Sequence, residues 1–387
     1  MLLRAASTLL LLTSVALVAA KRATPESVYD RGLVNTDVNY LSILNEQTNY
    51  QDRNKDDSNE LEPTKRKNYH GITLAYVTPW NNHGYDIAKI FSCKFDYVSP
   101  IWYNIKFKGS SFILEGDHNV DSEWMTEVKD GGCQEGFKTN MVPRFLFDGW
   151  DSKAYMQLIQ VPTQQTKLIE KIIATCQKFK FDGIVLEGGA LLPREYISAL
   201  LPFYKKLGKS LHGASLKYVL VVGPKREEKA SFSHGELDQL GDDVDYLSLM
   251  TYDYSPQSPG PNSPTSWMSS SALSLIPPQD EKKTSEKILL GLPFYGYDYT
   301  VSSQSAKSLL GKDFIQLIRK YKPDMIWDER DKEHKMEYIT KDTASLHVVY
   351  YPSLKFIEER LKLAESLKTG ISIWEIGQGL DYFYDLL

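Results

Sequence analysis

Cysteine is scarce in this sequence. The 387 residues contain only three, Cys93, Cys133 and Cys176. An odd and small number excludes a fold held by a disulfide framework, so a hydrophobic core must provide the stability. A bridge between Cys93 and Cys133 stays open. Cys176 shares a helical face with Leu168 and Ile172, which predicts a buried hydrophobic group rather than a reactive thiol.

An excess of positive charge is also missing. Lys and Arg number 45 against 50 Asp and Glu, which gives a formal net charge of −5. Binding to a phosphate backbone needs a basic surface, so nucleic acid is excluded as a partner. The seven histidines show neither a His-Glu-x-x-His motif nor paired His/Cys spacing, so we expect no metal site and no cofactor. The content of 42% hydrophobic and 25% charged residues indicates a globular protein.

A long hydrophobic run occurs only once, at the N-terminus. Arg4 precedes an apolar stretch from Leu9 to Val18, and Ala20 fits the small-residue position before a cleavage site. Lys21 ends the run before it reaches the ~20 apolar residues that a membrane span needs. Residues 1–20 are therefore predicted to be a signal peptide, with no membrane span. We expect the mature protein to be secreted or to reach the lysosome.

Residues 21–70 lack any periodic hydrophobicity. They contain 17 charged residues and one glycine, without a sustained period of 2 or 3.6. This pattern predicts a charged N-terminal arm that is either extended or partly disordered.

From residue 71 to residue 387, short β-branched and aromatic runs alternate with helical stretches, which is typical of βα units around a parallel sheet. Strands are predicted at 72–77, 95–102, 141–147, 181–187, 216–223, 246–251, 288–293 and 370–374. The clearest helices are predicted at 166–179, 196–212, 313–321 and 354–367. Eight strands with crossovers predict an α/β fold, the (β/α)8 TIM barrel. The long connection between strand seven and the last helix predicts a small α+β insertion at about 297–351.

Aromatic side chains collect at the predicted strand ends. Trp80, Trp102, Trp150 and Trp374 lie at or just beyond a strand end, and Trp267 lies in the loop after strand six. In such barrels the chemistry sits at the C-terminal ends of the strands, and a flat indole ring packs well on the C–H face of a sugar. The rim is therefore predicted to bind saccharide. The alternative is that some of these rings pack under loops.

Strand four carries a specific motif. Residues 181–189 read FDGIVLEGG, which resembles the DGxDxDxE signature of glycoside hydrolase family 18. Aligned on Asp182 and Gly183, Val185 stands at the next Asp of the signature, Glu187 at the last Asp, and Gly189 at the Glu that acts as the acid.

Further segments agree with the family in the correct order. Residues 248–253, SLMTYD, resemble its strand-six Met-x-Tyr-Asp, and residues 291–296, GLPFYG, resemble its strand-seven Gly-x-Pro-x-Tyr-Gly. Trp374 resembles the strand-eight tryptophan on which the central sugar rests, and Tyr76 through Trp80 resemble strand one. The resemblance covers residues 71–387. Within the family, strand four and the ending WEIGQGLDYFY at residues 374–384 resemble the chitinase-like lectins.

The resemblance implies substrate-assisted hydrolysis, in which the acetamido group of the sugar attacks and one carboxylic acid protonates the leaving oxygen. Because glycine stands at the acid position, it also implies that hydrolysis is lost. The catalytic remnants would be Asp182, Glu187, Tyr252 and Asp253. A side-chain period of 2 predicts that residues 185, 187 and 189 share one inward face, with Glu187 ~6.6 Å deeper than residue 189.

We therefore expect a chitinase-like lectin, not an enzyme, that binds N-acetylglucosamine oligomers or related glycans. The residues expected to bind saccharide are Trp374, Tyr252, Asp253, Glu187, Tyr76, Trp80 and Trp102. The resemblance further implies bacterial lipopolysaccharide as a ligand, a scavenger receptor of the stabilin type as a partner, and a role in pathogen sensing or glycan clearance. A weak or active hydrolase of chitin-type oligosaccharides stays open as the alternative.

Each polar site residue also has a structural explanation. Asp253 fits a helix N-cap or a structural pair, and Tyr252 fits simple core packing. Glu187, if inward-facing, fits a hydrogen bond to a neighbouring strand, because buried polar groups are almost always paired. Glu375 adjoins Trp374, so strand alternation should point it away from the site.

Overall fold

The computed structural model describes residues 27–54, 67–131, 133, 136–226, 232–280 and 283–387. The predicted signal peptide lies outside these residues. Within the described ranges, no helix is both long enough and apolar enough to cross a membrane.

Eight parallel strands close a barrel, as predicted. In chain order they are β1 Thr73–Val77, β2 Tyr97–Pro100 continued by β3 Tyr103–Lys108, β5 Asn140–Met141 continued by β6 Arg144–Phe147, β7 Gly183–Glu187, β8 Lys217–Val222, β9 Tyr246–Leu249, β10 Ile288–Pro293 and β16 Gly370–Trp374. Strand β4 Ser111–Glu115 pairs with β3 as an antiparallel hairpin. The barrel closes because β1 pairs with β16, β2 with β5, and β3 with β6. The third strand is interrupted at Pro143, which has no N–H to donate.

Helices surround the strands. They are α1 Tyr40–Asn54, α2 Asn82–Ile90, α3 Ser122–Lys129, α4 Ser152–Gln160, α5 Pro162–Phe179, α6 Arg194–Gly213, α7 His234–Leu240, α8 Thr265–Leu273, α9 Gly311–Tyr321 and α10 Leu354–Leu367. Short 3-10 turns occur at Ser92–Lys94, Asp117–Asn119, Gly241–Asp243, Thr284–Lys287 and Asp381–Leu386. Helix α10 begins where the Ser353 side chain accepts the Phe356 N–H at 3.2 Å, and it ends before Lys368, which is left-handed. Its predicted bounds are confirmed.

The hydrophobic core has two layers. The larger layer lies between the strands and the helices. The smaller one fills the barrel interior with inward side chains, among them Leu74, Tyr76, Val185, Val219 and Leu289. The interior is thus packed, and any ligand must bind at the strand ends.

The connection after β10 forms the predicted α+β insertion. Its strands are β11 Gly296–Thr300, β12 Ser305–Leu309, β13 Met325–Asp328, β14 Glu333–Ile339 and β15 Leu346–Tyr350, and α9 lies between β12 and β13. They form an antiparallel sheet in the order β12-β11-β15-β14-β13. This sheet stands beside the C-terminal ends of the barrel strands.

The charged N-terminal arm is folded in its described part, so the expectation of an extended arm is wrong for residues 27–54. Helix α1 buries Ile43 and Tyr50 against the rest of the protein. Asn39 caps the helix by accepting the N–H of Ser42 at 3.1 Å, and Arg31 pairs with the buried Glu46 at 2.9 Å. The charges that suggested an arm are partly internal partners.

Three aspartates tie neighbouring strands at the N-terminal ends of the strands, called here the lower end. Asp96, Asp182 and Asp245 each precede a strand. Their carboxylates accept backbone N–H groups of the aligned residues on the preceding strand, Thr73 at 2.7 Å, Met141 at 2.7 Å and Tyr218 at 2.8 Å. Each carboxylate also pairs with a lysine, Lys67, Lys129 and Lys217 respectively. The expectation that Asp182 is a catalytic remnant is therefore wrong, because it lies at the opposite end of β7 from the strand ends that carry chemistry.

The cysteines follow the expected pattern. Cys93 and Cys133, the pair that stayed open, form a disulfide. Cys176 is fully buried. Burial raises the pKa of its thiol to about 12, which confirms the prediction of a buried hydrophobic group.

Candidate saccharide site at the barrel mouth

An aromatic floor lies at the C-terminal ends of the strands, called here the mouth. Trp374 ends β16 and is half-buried. Its ring lies 5.3 Å from that of Tyr76 and 6.3 Å from that of Tyr252, with an angle of 27° to the latter. Trp374 and Tyr252, both predicted to bind saccharide, thus lie side by side.

Tyr76 supports this floor from below. It is 3% exposed, and its hydroxyl donates to Ser248 at 2.8 Å, which donates in turn to Ser372 at 3.2 Å. The expectation that Tyr76 contacts saccharide directly is therefore wrong, because its ring is covered by Trp374. Burial raises the pKa of Tyr76 and of Tyr252, so both phenols stay protonated donors near neutral pH.

Glu187 is held by a residue that the sequence analysis missed. The Arg144 guanidinium donates through Nη1 to Glu187 Oε2 at 2.6 Å, with side-chain exposures of 10% and 25%. Arg144 is aligned with Val185 in the β6–β7 register and shares its inward face. The structural explanation for Glu187, a bond to a neighbouring strand, is confirmed. The sequence signal that could have identified Arg144 is a charged residue at an inward position of a predicted strand.

The backbone turns away after Glu187, so residue 189 does not share the inward face. Gly189 has a φ of +107°, and a Cβ there would lie 2.8 Å from the Leu192 side chain and 3.4 Å from the Tyr204 hydroxyl. These atoms belong to the outer layer of the core. Ala190 is the next side chain to pack with the barrel interior. The expected alternation is correct for residues 185 and 187 and wrong for 189, because the strand ends at Glu187.

Asp253 lies across the mouth and faces the insertion. Its Oδ1 accepts the hydroxyls of Tyr295 and Tyr297, the latter at 2.6 Å. Its backbone N–H donates to Asn262 Oδ1 at 2.9 Å. The structural pair is thus the role that is observed. Sequence reasoning missed the two tyrosines as partners of Asp253. Their positions two residues apart, directly after β10 and at the start of β11, were the available signal.

The other tryptophans divide into exposed and packed rings. Trp80 is 71% exposed on the loop after β1. Trp102 is 3% exposed and donates its indole N–H to the Tyr85 hydroxyl at 2.8 Å, so the expectation that it binds saccharide is wrong. Trp150 stacks on Phe147, with ring centroids 3.8 Å apart. The packing alternative is correct for these two rings.

Glu375 lies behind the floor rather than in the mouth, as alternation predicted. It is fully buried and accepts the Asn81 amide at 2.9 Å and the Gly377 N–H at 3.0 Å. Burial raises its pKa to about 7, against which the bonds from Asn81 and Gly377 act. This carboxylate therefore anchors the β1–α2 loop next to Trp374.

The remaining candidate features lie away from the mouth. A cavity of about 570 Å³ opens between α2 and α3, and none of the predicted site residues lines it. Among the described residues, no group of three or more His, Cys, Asp or Glu is placed to hold a metal ion.

The comparisons with known proteins agree with this geometry. The model of the family described as "Glycosyl hydrolases family 18" matches residues 72–379. The chain belongs to this family. The match spans the barrel, including the mouth and the insertion.

Relatives within and around the family are distant. The "Uncharacterized glycosylase YvbX" of Bacillus subtilis is 22% identical over 242 residues, which cover 61% of this chain and 69% of that protein. A chitinase from Chromobacterium violaceum has a TM-score of 0.69 at 21% identity and covers 82% of this chain and 98% of its own. A family 18 chitinase from Cycas revoluta, solved with (GlcNAc)4, has a TM-score of 0.65 at 12% identity, covering 81% and 98%. These structures show the fold. The finer resemblance to chitinase-like lectins stays a prediction.

Proposed function

We propose that this family 18 protein binds saccharides at the barrel mouth without hydrolysing them, with N-acetylglucosamine oligomers or related glycans as ligands. The observation that carries the proposal is Gly189. It stands at the acid position of the signature, and its Cα–H faces Leu192 and Tyr204 in the outer layer.

Among the residues that the structure describes, the two carboxylates of the mouth do not stand at that position. A general acid must approach its target oxygen to about 2.6–3.2 Å, and its proton transfer is worth roughly 10²–10⁴ in rate. Glu187 ends the strand two residues earlier and is already bonded to Arg144. Asp253 is bonded to two tyrosines of the insertion side. Both carboxylates in the described part of the mouth are therefore engaged with protein partners.

The binding surface supports a sugar ligand. Trp374 offers an indole face beside the Tyr252 ring, and such a face packs on the C–H face of a pyranose. The chitinase from Cycas revoluta with the same fold was solved with (GlcNAc)4, which supports the ligand class. Secretion or lysosomal delivery, lipopolysaccharide binding and a stabilin-type receptor stay predictions of the sequence and its resemblance.

Isothermal titration with an N-acetylglucosamine tetramer tests the proposal. A saturable heat that returns to baseline is expected. Trp374→Ala should weaken the affinity measured in this titration. Trp102→Phe, which alters a packed ring outside the mouth, should leave the affinity unchanged. No heat at all would refute saccharide binding of this kind.

The alternative function is hydrolysis through Glu187, which is favoured by its 25% side-chain exposure in the mouth. The same titration separates the two functions. A continuing steady heat that disappears in Glu187→Gln would establish the enzyme and overturn the proposal.

A further inference from the structure

The ion pair in the mouth includes polar atoms that have no partner in the described part of the chain. Arg144 Nη1 bonds to Glu187 Oε2. The buried Nε of Arg144 has no hydrogen-bond partner among the described residues. None of the described residues bonds to Oε1 of Glu187, whose side chain is a quarter exposed.

This arrangement is incomplete in physical terms. A guanidinium carries five N–H donors in a planar fork, and a carboxylate accepts several hydrogen bonds. A buried donor without an acceptor is unfavourable, because the hydrogen bond that it loses to water is not replaced. A ligand that supplies both an acceptor and a donor next to each other would complete the pair.

The surroundings narrow the ligand chemistry. Below the pair, the barrel interior is closed by Val185 and Val219, both fully buried, so a ligand group must approach from above. Across the mouth, Asp253 Oδ1 already accepts two phenol hydroxyls. Among the described residues of the mouth, Arg144 and Glu187 present an unpartnered donor and an unpartnered acceptor within one ion pair.

We propose that Arg144 and Glu187 together recognise two neighbouring hydroxyl groups of a hexose that rests on Trp374, so that binding does not require an acetamido group. One hydroxyl donates to Glu187 Oε1, and the other accepts from the Arg144 guanidinium. A hydroxyl is both donor and acceptor, and the ion pair presents one of each. This inference rests on the proposed function, because it assumes that the mouth binds sugar.

Two sugars that differ only at C2 test the ligand class. We expect β-1,4-linked tetramers of glucose and of N-acetylglucosamine to bind with dissociation constants within about threefold of each other by titration calorimetry. The inference would be overturned if only the N-acetylglucosamine tetramer bound, or if it bound more than ~30-fold tighter than the glucose tetramer. Either result would leave the proposed function intact. If neither tetramer binds, the proposed function itself fails, and the inference with it.

Variants of the pair test the residues. Arg144→Lys keeps the charge opposite Glu187 but removes the donor fork, so affinity for both tetramers should fall by about tenfold. Unchanged affinity would mean that Arg144 is only a counterion, which refutes its role in recognition. Glu187→Gln should weaken both tetramers to a similar degree.

The matched control, Asp182, directly precedes the same strand. Asp182 also pairs with one cation at 2.6 Å, with similar side-chain exposure, at the lower end of β7. Asp182→Asn should leave both affinities unchanged. Thermal unfolding of each variant verifies that the barrel is folded when the affinity is measured.

Discussion

Three carboxylates lie at the lower end, and three described ones lie in or just behind the mouth, but their partners differ. At the lower end, every aspartate has a lysine and a backbone N–H. At the mouth and just behind it, Glu187 has an arginine, Asp253 has two phenols, and Glu375 has an amide and a backbone N–H. The same set of partners, a lysine and a backbone N–H, repeats at the lower end, whereas each carboxylate at the mouth has a different set. Repetition is what strand pairing requires, whereas a ligand site needs different groups at different places.

The electrostatic consequences also differ. At Asp245, burial acts to raise the pKa, but bonds from Lys217, His212 and the Tyr218 N–H hold it below its ordinary value. At Glu375, burial prevails and raises the pKa to about 7. The charged form of Asp245 is thus stabilised by its partners, whereas that of Glu375, beside the aromatic floor, is disfavoured by burial.

The largest expected effect is a difference in pH dependence. The folded protein holds the Glu375 proton more tightly than the unfolded chain, so the associated stability is full below about pH 4.5 and is lost as the pH rises through 7. At roughly 1.4 kcal/mol per pH unit, the loss is about 3 kcal/mol. Urea unfolding of wild type and Glu375→Gln between pH 5 and 8 measures it, and parallel curves would contradict it.

The lower end should respond with the opposite sign. Because the Asp245 pKa is lowered, its stabilisation is present above its ordinary range near pH 4 and is lost on acidification. Asp245→Ala should cost about 2–3 kcal/mol at pH 7, since three hydrogen bonds to a charged group are lost. Denaturant unfolding measures this cost, and glycan affinity should stay the same. Asp86→Ala, a carboxylate exposed to solvent and 3.8 Å from Lys89, should cost under ~0.5 kcal/mol.

The mouth should respond in affinity rather than stability. Trp374→Ala should weaken glycan binding by about 1–3 kcal/mol, the range for base–aromatic stacking, used here as an analogue. Titration calorimetry measures the change. Trp102→Phe is the control, because its ring packs outside the mouth. Equal affinities for wild type and Trp374→Ala would place the site elsewhere.

The smallest effect is expected from restoring the signature residue. Gly189→Glu should give no turnover of N-acetylglucosamine oligomers, because the new side chain starts toward Leu192. It should also lower stability by about 1 kcal/mol, since the positive φ disfavours any side chain. Gly189→Ala separates this strain from the effect of the carboxylate. A strongly active Gly189→Glu enzyme, assayed by reducing-end release, would show that the loop can realign.

Much of the fold could be predicted from hydrophobic pattern. The eight strands and helix α10 follow from apolar periodicity, because burial on both faces of a parallel strand leaves a clear mark. Helix α1 escaped prediction, because its stability comes from packing on the Asp381–Leu386 turn and on helix α9, and from the pairing of Arg31 with Glu46. Such long-range partners leave no local pattern.

The geometry of the mouth was harder to predict, because it too depends on contacts between segments that are distant in the sequence. The identity of Trp374, Tyr252 and Asp253 followed from motifs, but the direction of each side chain depends on where its strand ends. Glycine at 189 changed that direction, and Trp102 turned outward after β2. Arg144 escaped notice because its role exists only through the register that brings β6 beside β7.

The chain of hydroxyls beneath the floor has a thermodynamic consequence. Tyr76 is fixed by Ser248 and Ser372, and its ring holds Trp374 from below. A ring that is already immobile loses little conformational entropy when a ligand arrives. Loosening this support in Tyr76→Phe should therefore leave the contacts of the bound state intact and appear as a less favourable entropy of binding.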